Sequence, residues 1–311
     1  MTGGRDVGTL RLATRGSPLA LWQARTVAAM LEVHHPGVAT ELVVVRTEGD
    51  RDRTTPISRL GGRGVFCKEV QAAVLEGRAD LAVHSAKDLT SETPEGLTLA
   101  AVPVRGDVRD ALVGCRWEDL GPGTVVATGS IRRRALIAAH GAGVEFVELR
   151  GNMASRLARV VDDAGVDAVV VASAALDRLD RAGLIAERLD PEILLPQVAQ
   201  GALAVECRVD DREARERLMA IDSPGPRSEV TAERAFLAVL GGGCDLPVGA
   251  LARADREDHP LRMTAVLAAP DGSRVIRASG RGGDPVELGR GLARRILEEE
   301  GGSALLSDDG S

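Results

Sequence analysis

The sequence predicts an α/β protein with more than one domain, and three observations support this fold class. Short apolar segments typical of buried strands alternate with helical patterns through most of the chain. The alternation begins at Leu10, begins again after Pro103, and is followed by a run of strands between two helices. A chain of 311 residues is also longer than one hydrophobic core usually serves. We therefore expect two units with parallel sheets and helices on both faces, and a third unit after them.

The first unit is predicted to contain the strands TLRLAT, ATELVVVRT and ADLAVHS. Ser17 and Pro18 predict a helix start, because serine caps free backbone N–H groups and proline is favoured in the first helical turn. The helix LALWQARTVAAMLEVHH follows, and VFCKEVQAAVLEGR predicts a second helix. Residues 48–64, which precede this second helix, are rich in charge and glycine and predict a mobile lid.

The second unit is predicted to continue the alternation through GTVVAT, SIRRRALIAAHGAG, VEFVELR, ASRLARVVDDAG and VDAVVVAS. The apolar segment ALAVECR predicts a strand that returns to the first unit. Ser223–Pro226 contains two prolines and a glycine and predicts a linker. The third unit is predicted to contain the helix VTAERAFLAVL, a GGGC turn, the strands VGALARA, LRMTAVLAA and SRVIRASG, and the terminal helix PVELGRGLARRILEEE.

Composition and charge argue against several classes of protein. The sequence has no run of 18 or more apolar residues, so we expect no membrane span. A net charge of −7 argues against a nucleic-acid partner. The first residues do not resemble a secretion signal, so a cytoplasmic location is expected. The cysteines form no CxxC pair and predict no metal site; they are Cys67, Cys115, Cys207 and Cys244.

Polar segments directly follow four of the predicted strands. Because ligands of open α/β sheets bind at the carboxyl ends of strands, near helix N-termini, these segments are expected to line a cleft. Their arginines suit carboxylates, although each arginine alone also fits a solvated surface charge. The adjacent Arg132 and Arg133 are expected to point in different directions. The segments are Thr14–Ser17, His84–Asp88, Thr128–Arg133 and Arg150–Asn152, with Arg156 nearby.

Three residues have open alternatives on this reasoning. Asp88 fits a carboxylate that balances a cation formed during a reaction, or a helix or turn cap. Lys87 fits an anion clamp, a salt-bridge partner or a Schiff-base lysine, and its arginine-rich surroundings favour the clamp. Cys244 follows three glycines, which suits a thiol used for covalent attachment but also a simple turn. Cys207, inside ALAVECR, is predicted to be a buried structural cysteine.

Six segments, in the same order along the chain, resemble the signature segments of the porphobilinogen deaminase family. They are LRLATRGSPLALWQA, ADLAVHSAKD, TGSIRRR, ELRGN, QGALAVECR and TAERAFLAVLGGGCDLPVG. The resemblance implies three domains, of which the first two are similar to type II periplasmic binding proteins. The third is expected to be a small α+β domain with an antiparallel sheet. The implied boundaries are 1–103 with 202–219, 108–197, and 224–311.

The resemblance also implies hydroxymethylbilane synthase activity. Four porphobilinogen molecules would condense, with loss of ammonia, on a dipyrromethane cofactor attached to Cys244, and water would release hydroxymethylbilane. Asp88 matches the family's catalytic aspartate. A cytoplasmic monomer is implied, with porphobilinogen as its small-molecule partner. The implied cofactor-binding residues are Cys244, Lys87, Asp88, Ser130, Arg132 and Arg133, and the implied substrate-binding residues are Arg15, Ser17, Arg150 and Arg156.

Some positions depart from the family pattern, and two other functions are compatible with parts of the sequence. The departures affect the expected lid and anion contacts; they are Glu48, Arg59, Arg63, Gly129 and Gly241. A non-catalytic anion-binding module of the periplasmic-receptor type also fits the two α/β units and their arginines. The GGGC loop and the absence of a signal peptide favour the enzyme over this module. The glycines at 61–64 match neither a Walker loop nor a dinucleotide fingerprint, so a phosphate-binding loop is not favoured.

Overall fold

A computed structural model describes residues 8–47, 49, 64–162, 165–241, 246–254 and 260–307. The described residues form three sheets with helices packed around them. Four residues considered above lie outside the described ranges, together with almost all of the predicted lid at 48–64. They are Glu48, Arg59, Arg63 and Cys244.

The first elements follow the predicted alternation of strand and helix. Ser17 caps the first helix, where its Oγ accepts from the Ala20 N–H at 3.3 Å, and Pro18 is the first helical residue. The predicted helix start is therefore confirmed. The elements are β1 (Leu10–Arg15), α1 (Pro18–His34), β2 (Thr40–Val45), α2 (Lys68–Leu75), β3 (Leu81–Ser85) and β4 (Leu97–Ala101).

The second group of elements repeats the alternation. Ser130 caps the helix that carries Arg132 and Arg133, and its Oγ accepts from the Arg133 N–H at 3.4 Å. The elements are β5 (Asp110–Val113), β6 (Val125–Ala127), α3 (Ile131–Ala139), β7 (Glu145–Val147), α4 (Met153–Asp162), β8 (Ala168–Ala172), α5 (Ser173–Arg178) and β9 (Glu187–Arg188).

The predicted linker at Ser223–Pro226 is wrong. Ser223 occupies the cap position of a helix and Pro224 its first residue, where the missing N–H of proline costs no helical hydrogen bond. The remaining elements agree in type with the prediction or extend it. They are β10 (Leu203–Arg208), α6 (Arg212–Met219), α7 (Pro224–Val239), β11 (Val248–Arg253), β12 (Leu261–Ala268), β13 (Val275–Gly282), α8 (Pro285–Arg294) and α9 (Ser303–Ser307).

The first two sheets have five strands each and are mixed, which corrects the expectation of parallel sheets. The first sheet has the order β2-β1-β3-β10-β4, and β10 runs antiparallel to both of its neighbours. The second has the order β7-β6-β8-β5-β9, and β5 runs antiparallel to β8 and β9. The predicted return of the chain into the first unit is confirmed by β10. The third sheet, β11-β12-β13, is antiparallel as expected.

Apolar side chains cover both faces of the first two sheets. In β1, Leu12 packs into a cluster with residues of α1, whereas its neighbour Ala13 packs with residues of α2 on the opposite face. In β6, Val126 and Ala127 likewise belong to separate clusters, one with α3 and one with α4 and α5. This alternation confirms helices on both faces. Across the described ranges, no helix is long and apolar enough to cross a membrane.

Two connections join the first two sheets, and both run through a buried junction. We call residues 102–109 the first crossover and residues 189–202 the second crossover. Arg105 of the first crossover is nearly inaccessible, and its guanidinium pairs with Glu233 of α7 at 2.8 Å and with Glu229 at 3.1 Å. Glu233 also accepts the backbone N–H groups of Ala199 at 2.6 Å and Ala252 at 2.8 Å. One buried carboxylate therefore ties both crossovers to the third sheet.

Candidate active site

Lys87 and Asp88 lie on a short 3₁₀ turn, Ala86–Asp88, at the carboxyl end of β3. Ala86 is buried and its N–H donates to the Ala202 carbonyl at 3.0 Å. The buried thiol of Cys67 donates to the Asp88 carbonyl at 3.0 Å. These contacts fix the backbone on both sides of Lys87, and Lys87 and Asp88 are both half-buried.

Gln200 connects Lys87 of the first unit to Asp110 of the second sheet. The Lys87 Nζ donates to the Gln200 Oε1 at 3.3 Å. The Gln200 Nε2 donates to the Asp110 Oδ1 at 3.0 Å and to the Val108 carbonyl at 2.8 Å. Gln200 and Asp110 are fully buried, so this bridge is shielded from solvent.

The surroundings of Lys87 make its ammonium group easier to deprotonate. Burial and the nearby Arg133 lower the pKa of Lys87 to about 8, although Asp88 and Asp110 act in the opposite direction. Lys87 therefore remains mostly charged at neutral pH but loses charge under mildly alkaline conditions.

Arg132 and Arg133 do not point in different directions, contrary to the expectation. Arg132 donates to the Asp110 Oδ2 at 2.7 Å and to the Leu195 carbonyl at 2.6 Å. Arg133 donates to the Asp110 Oδ1 at 2.6 Å and to the Val170 carbonyl at 2.8 Å. A carboxylate has two oxygens, so each oxygen of Asp110 takes one guanidinium. The three buried side chains together carry one positive charge.

Arg15 and Ser17 lie at the carboxyl end of β1 and the start of α1. The Arg15 guanidinium carbon lies 4.2 Å from the centroid of the Phe66 ring, a cation–π contact that orients the side chain. The Ser17 Oγ serves as a helix cap, as does the Ser130 Oγ. In each serine the Oγ acts as an acceptor in the cap, so the hydroxyl hydrogen can still be donated to a second hydrogen-bond partner.

Arg150 and Arg156 follow β7, and Arg156 belongs to α4. The Arg156 Nε donates to the Gly151 carbonyl at 2.9 Å. Burial and Arg133 lower the pKa of Arg156 to about 10; Asp88 raises it, whereas Arg150 and Arg15 lower it further. Residues of both units therefore lie close enough to Arg156 to affect its charge.

These electrostatic relations define a charged cluster that spans the two units. Its members are the groups that most affect Lys87 and Arg156, together with those two residues. They are Arg15, Lys87, Asp88, Asp110, Arg133, Arg150 and Arg156. Five basic groups and two carboxylates therefore meet here, and Asp110 is already engaged by arginines. The cluster suits a ligand that carries several carboxylates and one positive centre opposite Asp88.

The sequence analysis missed three polar residues of this region. Asp110 is the first residue of a four-residue strand that is otherwise apolar, so the acid that begins this short apolar segment was the only sequence signal for it. Gln200 lies in the irregular second crossover, and its place at the start of the family segment QGALAVECR was the available signal. Gln23 is buried on α1 and its Nε2 donates to the Ser85 Oγ at 2.7 Å, beside the 3₁₀ turn. A polar residue on an otherwise apolar helix face was its signal.

Two glycines that depart from the family pattern have local explanations. A Cβ on Gly129 would lie 2.8 Å from the Leu149 carbonyl oxygen, so the close approach of these two backbones excludes a side chain. Gly241 follows Leu240, the C-cap residue of α7, and has a φ of +65°, the left-handed conformation in which glycine commonly ends helices. Cys207 is completely buried, and burial raises its pKa to about 11, as expected for a structural cysteine.

Two family models match the chain in order. Residues 10–216 match the porphobilinogen deaminase dipyrromethane cofactor binding domain. Residues 228–298 match the porphobilinogen deaminase C-terminal domain. The chain belongs to the porphobilinogen deaminase family. For a member of this family, the arginines at the strand ends and the neighbouring Lys87 and Asp88 lie in the domain that binds dipyrromethane.

The chain also matches solved structures of other proteins at low identity. YhfZ from Shigella flexneri is 20% identical, with a TM-score of 0.38, over 76% of this chain and 93% of that chain. The methionine binding protein MetQ is 14% identical, with a TM-score of 0.44, over 69% and 90%. CbnR, a LysR family transcriptional regulator, is 15% identical, with a TM-score of 0.41, over 69% and 68%.

The charged cluster fits the dipyrromethane cofactor of the porphobilinogen deaminase family. Acetate and propionate side chains of such a cofactor require cations, which the cluster supplies from both units. Pyrrole N–H groups require an acceptor, and Asp88 is a carboxylate on the turn beside Lys87. The side chains of the cluster are therefore those expected of a site that binds a molecule with several carboxylates and with pyrrole N–H groups.

Proposed function

We propose that this chain is a hydroxymethylbilane synthase. It condenses four porphobilinogen molecules stepwise onto a covalent dipyrromethane, with loss of ammonia, and then releases hydroxymethylbilane by hydrolysis. The observation that carries the proposal is the charged cluster, in which Asp88 and Lys87 of one unit interact electrostatically with Arg156 of the other. The family's domain order supports the same conclusion.

Asp88 is proposed as the catalytic residue. When porphobilinogen loses ammonia, its carbon–nitrogen bond breaks and its pyrrole ring becomes positively charged. An ionised carboxylate beside the ring N–H stabilises that charge and lowers the barrier to its formation. The Asp88 carbonyl is held by Cys67, so the carboxylate is presented from a fixed backbone.

The basic residues are proposed to bind the carboxylates of cofactor and substrate. Lys87, Arg132 and Arg133 join Asp88, Ser130 and Cys244 as cofactor-binding residues. Because Arg132 and Arg133 share Asp110, they hold a fixed geometry, and the three side chains leave one net positive charge. The proposed substrate-binding residues are Arg15, Ser17, Arg150 and Arg156.

Cys244 is proposed to hold the dipyrromethane through a thioether, and lies outside the described residues. When bound, this cofactor supplies the free pyrrole carbon to which each new unit is joined. The position of Cys244 within the residues that match the family's C-terminal domain supports the assignment.

The proposed domains are 1–103 with 202–219, 108–197, and 224–311. The strands of each sheet fall within one of these ranges, which supports the division. We also propose, from the family resemblance, that the protein is a cytoplasmic monomer.

Intact-protein mass spectrometry tests the covalent cofactor. The purified, active chain is expected to exceed its sequence mass by a two-pyrrole adduct, and Cys244→Ser is expected to lack the adduct. An active preparation in which Cys244 carries no adduct would contradict the proposal.

Turnover of the Asp88→Ala variant tests the catalytic role. We expect a folded protein that retains the adduct of the parent chain but releases ammonia from porphobilinogen at least about a hundredfold more slowly, the usual scale for loss of a charge-stabilising group. Unchanged ammonia release would reject the role of Asp88. A parent chain that binds porphobilinogen without releasing ammonia would instead indicate a non-catalytic binding module.

A further inference from the structure

A cavity of about 370 Å³ lies between the two units, on the side of the first crossover. One wall is the α1 face that carries Trp22 and Met30, and the opposite wall is α5 with Arg178. The first crossover contributes Pro103 and Val104. The walls are mainly apolar, so the cavity suits a ligand with an apolar body.

Arg178 places a positive charge in this cavity. Its Nη2 donates to the Gly201 carbonyl at 2.6 Å, and its guanidinium carbon lies 5.5 Å from the centroid of the Trp22 ring. Among the described residues, no carboxylate lies within ion-pair distance of Arg178. Burial lowers the pKa of Arg178 to about 10, with Asp177 opposing the change. A guanidinium that is largely buried without an ion pair favours an anionic ligand.

The carboxylates that line the cavity are already paired with other arginines. Asp107 pairs with Arg109 at 2.6 Å and with Arg188 at 3.1 Å. Asp177 pairs with Arg188 at 2.6 Å. These two acids and their two partners balance one another, so the charge of Arg178 remains as the excess at the cavity.

We propose that this cavity is a binding site for a small monocarboxylate with an apolar body, with the carboxylate on Arg178 and the apolar part against Trp22 and Met30. The site differs from the charged cluster, whose members are absent from the groups that affect Arg178. Because α1 and α5 belong to different units, a ligand bound between these two helices would fix the distance between the units. The proposal does not depend on the reaction proposed above.

Trp22 provides a direct measurement of binding. The chain has two tryptophans, so Trp117→Phe leaves Trp22 as the sole tryptophan. We expect 3-phenylpropionate to change the Trp22 emission of this variant saturably. Adding Arg178→Gln is expected to weaken binding at least about tenfold, the usual scale for one charge-assisted hydrogen bond. Arg181→Gln, at an exposed arginine just after α5, is expected to leave the affinity unchanged.

Two further comparisons make the result decisive. Val104 is 69% exposed at the cavity, so Val104→Glu should weaken binding by repelling the probe, whereas the neutral Val104→Gln should not. The comparison of Val104→Glu with Val104→Gln tests the proposal even if Arg178→Gln does not fold. No saturable signal, equal affinities for Val104→Glu and Val104→Gln, or undiminished binding in folded Arg178→Gln would each overturn the proposal. A loss of probe binding in Arg156→Gln but not in Arg178→Gln would also overturn the proposal, because it would place the probe in the charged cluster.

Discussion

At the scale of single residues, Asp110 determines how the two adjacent arginines of α3 are used. The carboxylate is fully buried and takes one guanidinium on each oxygen, and Gln200 adds a third donor. Burial alone would raise the pKa of Asp110, but Arg132 and Arg133 hold it well below its usual range. Asp110 therefore stays ionised at neutral pH, and its negative charge is part of the site.

Asp110→Asn is expected to destabilise the fold by about 3–5 kcal/mol, because it leaves two buried guanidinium groups without a counter-charge. Urea unfolding of the variant and the parent chain measures the change. Asp210→Asn, at an exposed aspartate, serves as the control and should change the unfolding free energy by less than about 0.5 kcal/mol. Equal effects of the two substitutions would show that the Asp110 charge has no structural importance.

Lys87 predicts a pH dependence of substrate binding. Its pKa is lowered to about 8, so the ammonium group loses its proton as the pH rises through that value. If Lys87, beside the cofactor, also contacts a carboxylate of the incoming porphobilinogen, the KM for porphobilinogen should rise up to about tenfold between about pH 7 and pH 9, in step with the loss of charge. Steady-state kinetics across this range measure the effect.

Lys87→Arg is the matched variant for this pH dependence. Arginine keeps its charge throughout the same range, so the rise in KM should be absent even if turnover is reduced. A KM that does not vary with pH in the parent chain would contradict the clamp role. A rise of equal size in Lys87→Arg would assign the titration to another group.

The site was predictable where residues follow strands and not where they lie in the crossovers. Arg15, Lys87 and Asp88 directly follow apolar segments, so their shared location follows from the parallel arrangement of β1 and β3. Arg132 and Arg133 were correctly placed at the start of a helix. Their partner Asp110, however, lies 22 residues before Arg132 in the sequence. Such a distant pairing leaves no local pattern.

At the scale of elements, α7 and α8 pack so closely that a glycine is required between them. A Cβ on Gly289 of α8 would lie 2.1 Å from the Ala232 carbonyl oxygen and 2.9 Å from the Phe236 nitrogen of α7. Phe236 is completely buried at the same interface. The two helices can separate only by opening the apolar core of the third sheet.

Gly289→Ala is therefore expected to destabilise the protein by about 1–3 kcal/mol through overpacking. Gly291→Ala, two residues further along α8, meets no atom within 4 Å and should stabilise the helix by about 0.5–1 kcal/mol. Thermal or urea unfolding compares the variants. A Gly289→Ala variant as stable as Gly291→Ala would show that the helices separate without cost.

Element prediction succeeded for long periodic segments and failed for short or proline-containing ones. The α1 and β10 patterns identified both elements, because each has apolar residues at the required spacing. The first turn of α7 was taken for a linker, since Pro224 and Pro226 suggest a break unless they occupy the first turn. β5 has only four residues and begins with an acid, so its pattern is too short to recognise.

At the scale of the whole molecule, the Arg105 network holds the three sheets together. Arg105 reaches α7 through Glu233 and the second crossover through the Gln200 carbonyl at 2.9 Å. Ala199, whose N–H donates to Glu233, has a φ of +60°, an unusual conformation for a residue with a side chain. The buried Arg105–Glu233 pair thus contacts both crossovers.

Arg105→Leu is expected to destabilise the protein by about 3–5 kcal/mol, because Glu233 loses its buried counter-charge. Limited proteolysis should also cut more readily within the two crossovers. Arg116→Gln, at an arginine whose side chain is 61% exposed, is the control and should resemble the parent chain in both measurements. Unchanged cleavage in Arg105→Leu would show that the network does not hold the crossovers.

The position of β10 has a consequence for synthesis of the chain. It pairs with β3 on one side and β4 on the other, although it is encoded after every strand of the second sheet. As the nascent polypeptide leaves the ribosome, the second sheet has all its strands while the first still lacks a central one. Until Leu203–Arg208 emerge, β3 and β4 present open edges that invite wrong pairing. The amino-terminal half is thus the later of the two to mature.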